Sequence, residues 1–160
     1  QKFPLSRQNC IAIGGKVEDC LVFEDIVASV PEIYQLGKQD IDEEIDFILT
    51  MTSGSTSAPK PIVYTQGTKI RRCSGAEKSY DITENDIILV GTPLYHSISQ
   101  RLVLLPLITG GTSVIMHKFT PKNWLTQIEK HQVSFTISVS SQLENILQEL
   151  KDTKADLSSF

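Results

Sequence analysis

Between Thr52 and Pro61 the chain reads TSGSTSAPKP, seven small or hydroxyl-bearing residues followed by proline, lysine and proline. A loop this rich in Ser, Thr and Gly packs poorly and loses backbone entropy when ordered, so an interaction that orders it must offset that cost. Five hydroxyls are on offer (Thr52, Ser53, Ser55, Thr56 and Ser57), with a backbone at Gly54 that a ligand can approach closely and the ammonium of Lys60. Hydroxyls, inward-pointing amides and one cation form an anion-binding nest, which suits the phosphates of a nucleotide. The Walker pattern is excluded, because Pro59 stands where its second glycine should precede the lysine and Pro61 where Ser or Thr should follow. Taken alone, the same residues also read as a solvated Ser/Thr turn with no ligand.

His96 is the second candidate. It follows Leu94 and Tyr95 in a turn before an apolar helix. His117 is expected at the end of a strand and His131 near a helix C-terminus, where a favourable dipole interaction accounts for it. Arg71 and Arg72 read as a solvated helix face and Trp124 as core. No His–Asp relay is evident beside the loop, so nucleophilic catalysis by its serines is not expected.

The elements that must position these residues alternate in type. CIAIGG (10–15) predicts a strand ending in a glycine turn, and FEDIVASV a short helix closed by Pro31. The acidic, apolar-poor stretch 35–46 reads as a solvated connector. FILTM predicts a buried strand running into the loop at 52–61, and PIVYT a strand leaving it; residues 66–80 follow as a helix. DIILVGTP and TSVIMH predict strands on either side of ISQRLVLLPLITGG, a largely apolar helix with Pro106 inside it. PKNWLTQIEKHQ is amphipathic with proline near its start, VSFTISVS predicts a strand, and SQLENILQELK carries a stripe at Leu143, Ile146, Leu147 and Leu150. This alternation predicts an α/β fold with a mainly parallel sheet flanked by helices.

The chain has 160 residues, 40% hydrophobic, enough for one ordinary core over residues 1–160. A formal net charge of −4 carries no electrostatic footprint for nucleic acid or anionic membrane, and no run of about 20 apolar residues predicts a membrane span. There is no signal-peptide pattern, and three widely spaced cysteines without a CxxC favour reduced thiols in a cytoplasmic protein. The missing initiator Met and the ending DLSSF suggest a piece of a longer chain.

The loop, as MTSGSTSAPKP, closely resembles the phosphate-binding signature of the adenylate-forming superfamily: acyl-CoA synthetases, luciferases and peptide-synthetase adenylation domains. That signature runs aromatic-T-S-G-[ST]-T-G-x-P-K-G. YTQGTKI resembles the strand, polar residue and helix that follow in the family. DIILVGTPLYHSISQRLVLLPLITGGTSVIM resembles the block in which a Pro-Leu-aromatic-His turn precedes an apolar helix and a glycine pair. FTPKNWLTQIEKHQVSFTISVSSQLENIL is similar to the helix–strand–helix segment after that. The resemblance runs from about Asp40 to Leu150. The departures are Met51 for the aromatic residue, Ser57 and Pro61 for two loop glycines, and Gln66 for the commoner histidine. A non-glycine residue at positive φ costs about 1 kcal/mol or more, and Pro61 removes a backbone donor.

The resemblance implies part of the large N-terminal domain of an ATP-dependent, AMP-forming ligase. A small-molecule carboxylate, fatty or other, would attack the α-phosphate of Mg-ATP. The acyl group would then pass to coenzyme A or to the phosphopantetheine arm of a carrier. By position in the motif, Thr52, Ser53, Gly54, Ser55, Thr56 and Lys60 would contact the triphosphate, with Lys60 offsetting its charge. Thr52 would also supply a hydroxyl to magnesium, and His96 would border the carboxylate pocket. The family's Tyr-Gly-x-Thr-Glu block, ribose-binding Asp and C-terminal lysine are not found here, so the chain is expected to need the remainder of a longer polypeptide and to be inactive alone. A degenerate nucleotide-binding module without catalysis, and a purely structural piece, stay open beside the ligase reading.

Overall fold

Strands and helices alternate along the computed structural model, which describes residues 10–30, 42–52 and 60–160. The chain divides into two compact units, Gln1–Ile41 and Asp42–Phe160. In the first, β1 (Ile11–Ala12) and β2 (Leu21–Val22) pair in parallel, and α1 spans Phe23–Ser29. Gly14 turns the chain after β1 at φ 76°, and its amide donates to Glu24 Oε1 at 2.8 Å. Val30, which precedes Pro31, is already extended, so the helix stops where proline requires it to.

The second unit opens with an antiparallel hairpin, β3 (Asp46–Thr52) and β4 (Lys60–Thr65). It continues with α2 (Gln66–Tyr80), β5 (Ile87–Val90), α3 (Ser97–Thr109), β6 (Thr112–Ile115), α4 (Pro121–His131), β7 (Phe135–Thr136) and α5 (Ser140–Glu149). Strands β5, β6 and β7 form a parallel sheet in the order β6-β5-β7. Its central strand is apolar throughout because both of its faces are covered. Ile88 and Val90 pack with Cys73, Ala76, Leu102 and Leu105 from α2 and α3. Leu89 points the other way, into Trp124, Leu125, Ile128, Val133 and Ile146. The fold is the expected α/β arrangement, with Trp124 in the core at 3% exposure.

Three expectations are corrected. FILTM is a strand but not a buried one: Phe47, Leu49 and Met51 are 48%, 62% and 54% exposed. Their face of the two-stranded hairpin lacks the paired layer that covers β5. The strand expected over VSFTISVS shrinks to Phe135–Thr136. The α5 stripe is only half used, since Ile146 is buried while Leu143 and Leu147 lie 46% and 63% exposed. Of the expected connector at 35–46, residues 35–41 lie outside the described residues, and 42–45 form a turn closed by Asp42.

That turn seats the hairpin on α2. The amides of Gln66 and Gly67 donate to the carbonyls of Ile45 and Glu43 at 3.0 and 2.9 Å, and Thr65 Oγ1 accepts from the Thr68 amide. Three amides that the first turn of a helix leaves unpaired are thereby satisfied. A Cβ at Gly67 would lie 2.7 Å from Glu43 Cβ, so the docking demands glycine there. The other end of the sheet is tied by Asp86. Its carboxylate accepts from the Thr83 amide at 2.7 Å and from Ser134 Oγ at 2.7 Å, and its carbonyl accepts from Thr112 N. Gly111 lets β6 approach, as a Cβ there would stand 2.8 Å from the Asp86 carbonyl. The Thr83 amide, ahead of the Ser134 and Thr83 hydroxyls, holds the Asp86 carboxyl below its ordinary pKa despite opposition from burial.

Two measurements test this scheme. Helix propensity alone favours alanine over glycine by up to about 1 kcal/mol, yet only Gly75, with nothing within 4 Å of its would-be Cβ, has room for it. Gly75→Ala should therefore raise the urea midpoint, and Gly67→Ala should lower it, with a net loss of about 1–3 kcal/mol. For Asp86, a folded pKa below the unfolded value of about 3.9 gives a contribution that is complete above that pH and lost as pH falls through the folded value. The stability gap between wild type and Asp86→Asn should stay level above about pH 5 and narrow below about pH 4. Urea melts across that range would read it, and a gap independent of pH would contradict the assignment.

Candidate functional site

The candidate residues fall at two places in the second unit. The first is the tip of the β3–β4 hairpin. Thr52 ends β3 and pairs in register with Lys60, which opens β4 and is exposed. The antiparallel ladder thus brings the two ends of the Ser/Thr/Gly segment together. Ser53, Gly54, Ser55, Thr56 and Ser57 lie outside the described residues, as does the side chain of Thr52. Pro61 pairs opposite Met51 within the hairpin. Two-stranded ribbons have only edge strands, where a missing donor is tolerated.

The donor set at the tip suits oxyanions: hydroxyls, a lysine and no carboxylate between Thr52 and Pro61. It suits magnesium through a hydroxyl only, because hard cations are held mainly by carboxylate and other oxygens. Among the described residues no group of three or more His, Cys, Asp or Glu side chains could hold a metal ion.

The second place is the carboxyl end of the parallel sheet, where α/β folds gather ligands because the turns after each strand converge. His96 is the N-cap of α3, its amide donating to the Pro93 carbonyl and its own carbonyl accepting from Gln100 N. Its ring lies 4.4 Å from that of Tyr95, and both residues are exposed. A cleft of about 290 Å³ is lined by Thr92, His96, Ser97, Ile98 and Val139. The first four come from the turn after β5 and the start of α3, and Val139 from the link between β7 and α5. Two polar ties hold these links together. Thr92 shares a hydrogen bond with the buried Ser99, and Gln142 of α5 donates to the Gly91 carbonyl at 3.1 Å.

His117 lies just past β6 rather than at its end, and His131 is the last residue of α4. Arg71 is exposed and pairs with Glu43 at 2.8 Å, whereas Arg72 is half-buried against Tyr64. Thr92, Ser97, Ile98 and Val139 were not singled out from the sequence. A pointer did exist: each lies between the carboxyl end of a strand and the first turn of the following helix in a chain that reads as α/β, which is where ligand contacts concentrate.

Comparison with known proteins follows the same outline. Feruloyl-CoA synthase of an Amycolatopsis species is 32% identical over 114 residues, covering 71% of this chain and 23% of that enzyme. 4-Coumarate–CoA ligase 3 of Arabidopsis thaliana is 29% identical over 89% of this chain and 26% of its own length. Among solved structures, one named as a long-chain-fatty-acid CoA ligase of Rhodopseudomonas palustris superposes with a TM-score of 0.74 at 27% identity, over 87% of this chain and 34% of that one. The o-succinylbenzoate–CoA synthetase of Bacillus subtilis, solved with ATP and magnesium, superposes with a TM-score of 0.67 at 25% identity, over 78% and 26%. The chain therefore spans about a quarter of the length of the curated relatives it matches. No helix among the described residues is long and apolar enough to cross a membrane. The AMP-binding enzyme profile matches residues 16–160, and the chain belongs to that family.

Proposed function

We propose that this chain supplies the phosphate-binding hairpin and one wall of the carboxylate pocket of an ATP-dependent, AMP-forming acid–thiol ligase. The observation that carries the reading is the hairpin itself. Its ladder closes at Thr52 and Lys60, so the two ends of the hydroxyl-rich sequence between them are held together, which supports a phosphate cradle. In that role Ser53, Gly54, Ser55 and Thr56 contact phosphate oxygens through hydroxyls and amides. Lys60 offsets the charge that moves onto the departing pyrophosphate. Thr52 gives one hydroxyl oxygen to magnesium, which when bound neutralises phosphate charge. His96, at the carboxyl end of β5, borders the acid substrate. The related enzymes named above use CoA; a phosphopantetheine carrier is the alternative acceptor. The substrate class is a small organic acid, and the complete site includes the remainder of a longer polypeptide with a cytoplasmic location.

A second reading rests on Ser57 and Pro61, which stand where the family signature has glycine. Each narrows the backbone freedom of the loop, and Pro61 also lacks an amide donor. This favours a nucleotide-binding module whose catalysis has decayed.

Pyrophosphate release separates the two. The full-length protein that carries this chain, given Mg-ATP and a panel of carboxylates, should release pyrophosphate only when its acid is present. Lys60→Ala and Thr56→Ala should lower that rate on the order of a hundredfold, the usual loss when one oxyanion donor is removed. ATP binding that survives with no acid-dependent release would favour the decayed module. Loss of both would remove the phosphate assignment.

A further inference from the structure

Between α2 and α3, three cationic side chains gather with no carboxylate paired to them among the described residues. Lys69 is only 4% exposed. Its ammonium donates to Gln100 Oε1 and sits 4.2 Å from the centroid of the Tyr64 ring. Arg72, one turn further along α2, places its guanidinium carbon 5.5 Å from the same ring. Arg101 follows Gln100 on α3, and the Cys73 thiol lies 4.0 Å from its carbonyl oxygen. The Nε of Arg101 is buried and has no hydrogen-bond partner. Neither guanidinium, of Arg72 or of Arg101, hydrogen-bonds or ion-pairs with any described residue.

This arrangement is costly as it stands. Like charges repel strongly where water is scarce, and a buried N–H without an acceptor keeps its full desolvation penalty. The face of Tyr64 offsets part of the repulsion through cation–π attraction. Burial, ahead of the charges of Arg72 and Arg101, holds the Lys69 ammonium below its ordinary pKa, partly opposed by Cys73. Burial likewise raises the Cys73 thiol, opposed by the same three cations. An acceptor with negative charge would offset the repulsion among the cations and give the buried Arg101 Nε–H a partner.

We propose that Lys69, Arg72 and Arg101 form a binding site for an oxyanion, a carboxylate or a phosphate, laid over Tyr64 between α2 and α3. Guanidinium forks match the paired oxygens of both groups, and Gln100 orients the lysine toward them. The assignment is independent of the ligase reading, because none of these residues belongs to the hairpin tip or lines the His96 cleft.

Titration of the 160-residue chain with inorganic phosphate and, separately, glutarate at low ionic strength tests the site, with arginine Nε–H resonances as the readout. Saturable movement of the Arg101 resonance is expected, and the probe that acts at lower concentration identifies the oxyanion class. Arg101→Gln and Arg72→Gln should each weaken binding about tenfold, the loss typical of one charge-assisted contact. Arg71→Gln, whose partner is Glu43, should leave it within about twofold. Should burial make the Arg101 variant unstable, half-buried Arg72 and the wild-type resonance still decide the matter. The proposal is overturned by an absence of saturation or by equal weakening in Arg71→Gln. It is also overturned by an Arg101 resonance that is already acceptor-bound and indifferent to added anion, which would mean the chain fills the site with its own carboxylate.

Discussion

The second unit depends on the burial of one short strand on both of its faces. Ile88, Leu89 and Val90 are fully inaccessible to solvent, and their side chains alternate between opposite clusters. Burying a single aliphatic side chain is worth roughly 1.5–3 kcal/mol, so three in succession outweigh any polar contact described above. Meeting that demand needs helices on both sides, and short parallel strands joined by helices provide them. α2 and α3 cover one face while α4 and α5 cover the other. A parallel sheet built this way sends every strand in the same direction. The turns after β5 and β7 therefore meet at one end, and His96 comes to face Val139 across the cleft.

The hairpin is held on different terms. It contributes little to either cluster and leaves Phe47, Leu49 and Met51 exposed. Its attachment runs through backbone amides at the start of α2, with Glu43, Ile45 and Thr65 as acceptors and Gly67 as the close approach. Helix dipole, capping and steric fit act at the same point, so the amides there are already satisfied by protein. The proposed phosphate contacts therefore rest on the hydroxyl-rich segment and Lys60 rather than on the amides at the helix end. Further along the same helix, Lys69 bonds to Gln100 of α3 and Arg72 lies against Tyr64 of β4.

Most of this was legible in the sequence, for local reasons. Residues 66–80 read as a helix and form one with those bounds; Pro121 and Thr120 mark the start of α4 as N1 and cap. The IILV run reads as a strand and is one, and the structure buries Ile88, Leu89 and Val90 within it. The misreadings share a cause. FILTM has the apolar content of a core strand, and the α5 stripe has helical spacing, yet burial depends on what packs opposite. Composition carries no information on that. Arg72 read as solvated for the same reason, since the ring it covers belongs to a strand eight residues earlier.

The order of strands and helices, the caps, the hydroxyl-rich loop and the family signature belong to the sequence alone, because each arises from contacts within a few residues. Tertiary structure decided which apolar faces are covered, that Thr136 bonds to Leu89 across 47 residues, and that Lys69 and Arg72 both lie against the ring of Tyr64. Those are long-range pairings. They follow from the closure of the sheet and the docking of α2 on the turn at Glu43, where steric fit and burial select among arrangements that local propensity leaves equal.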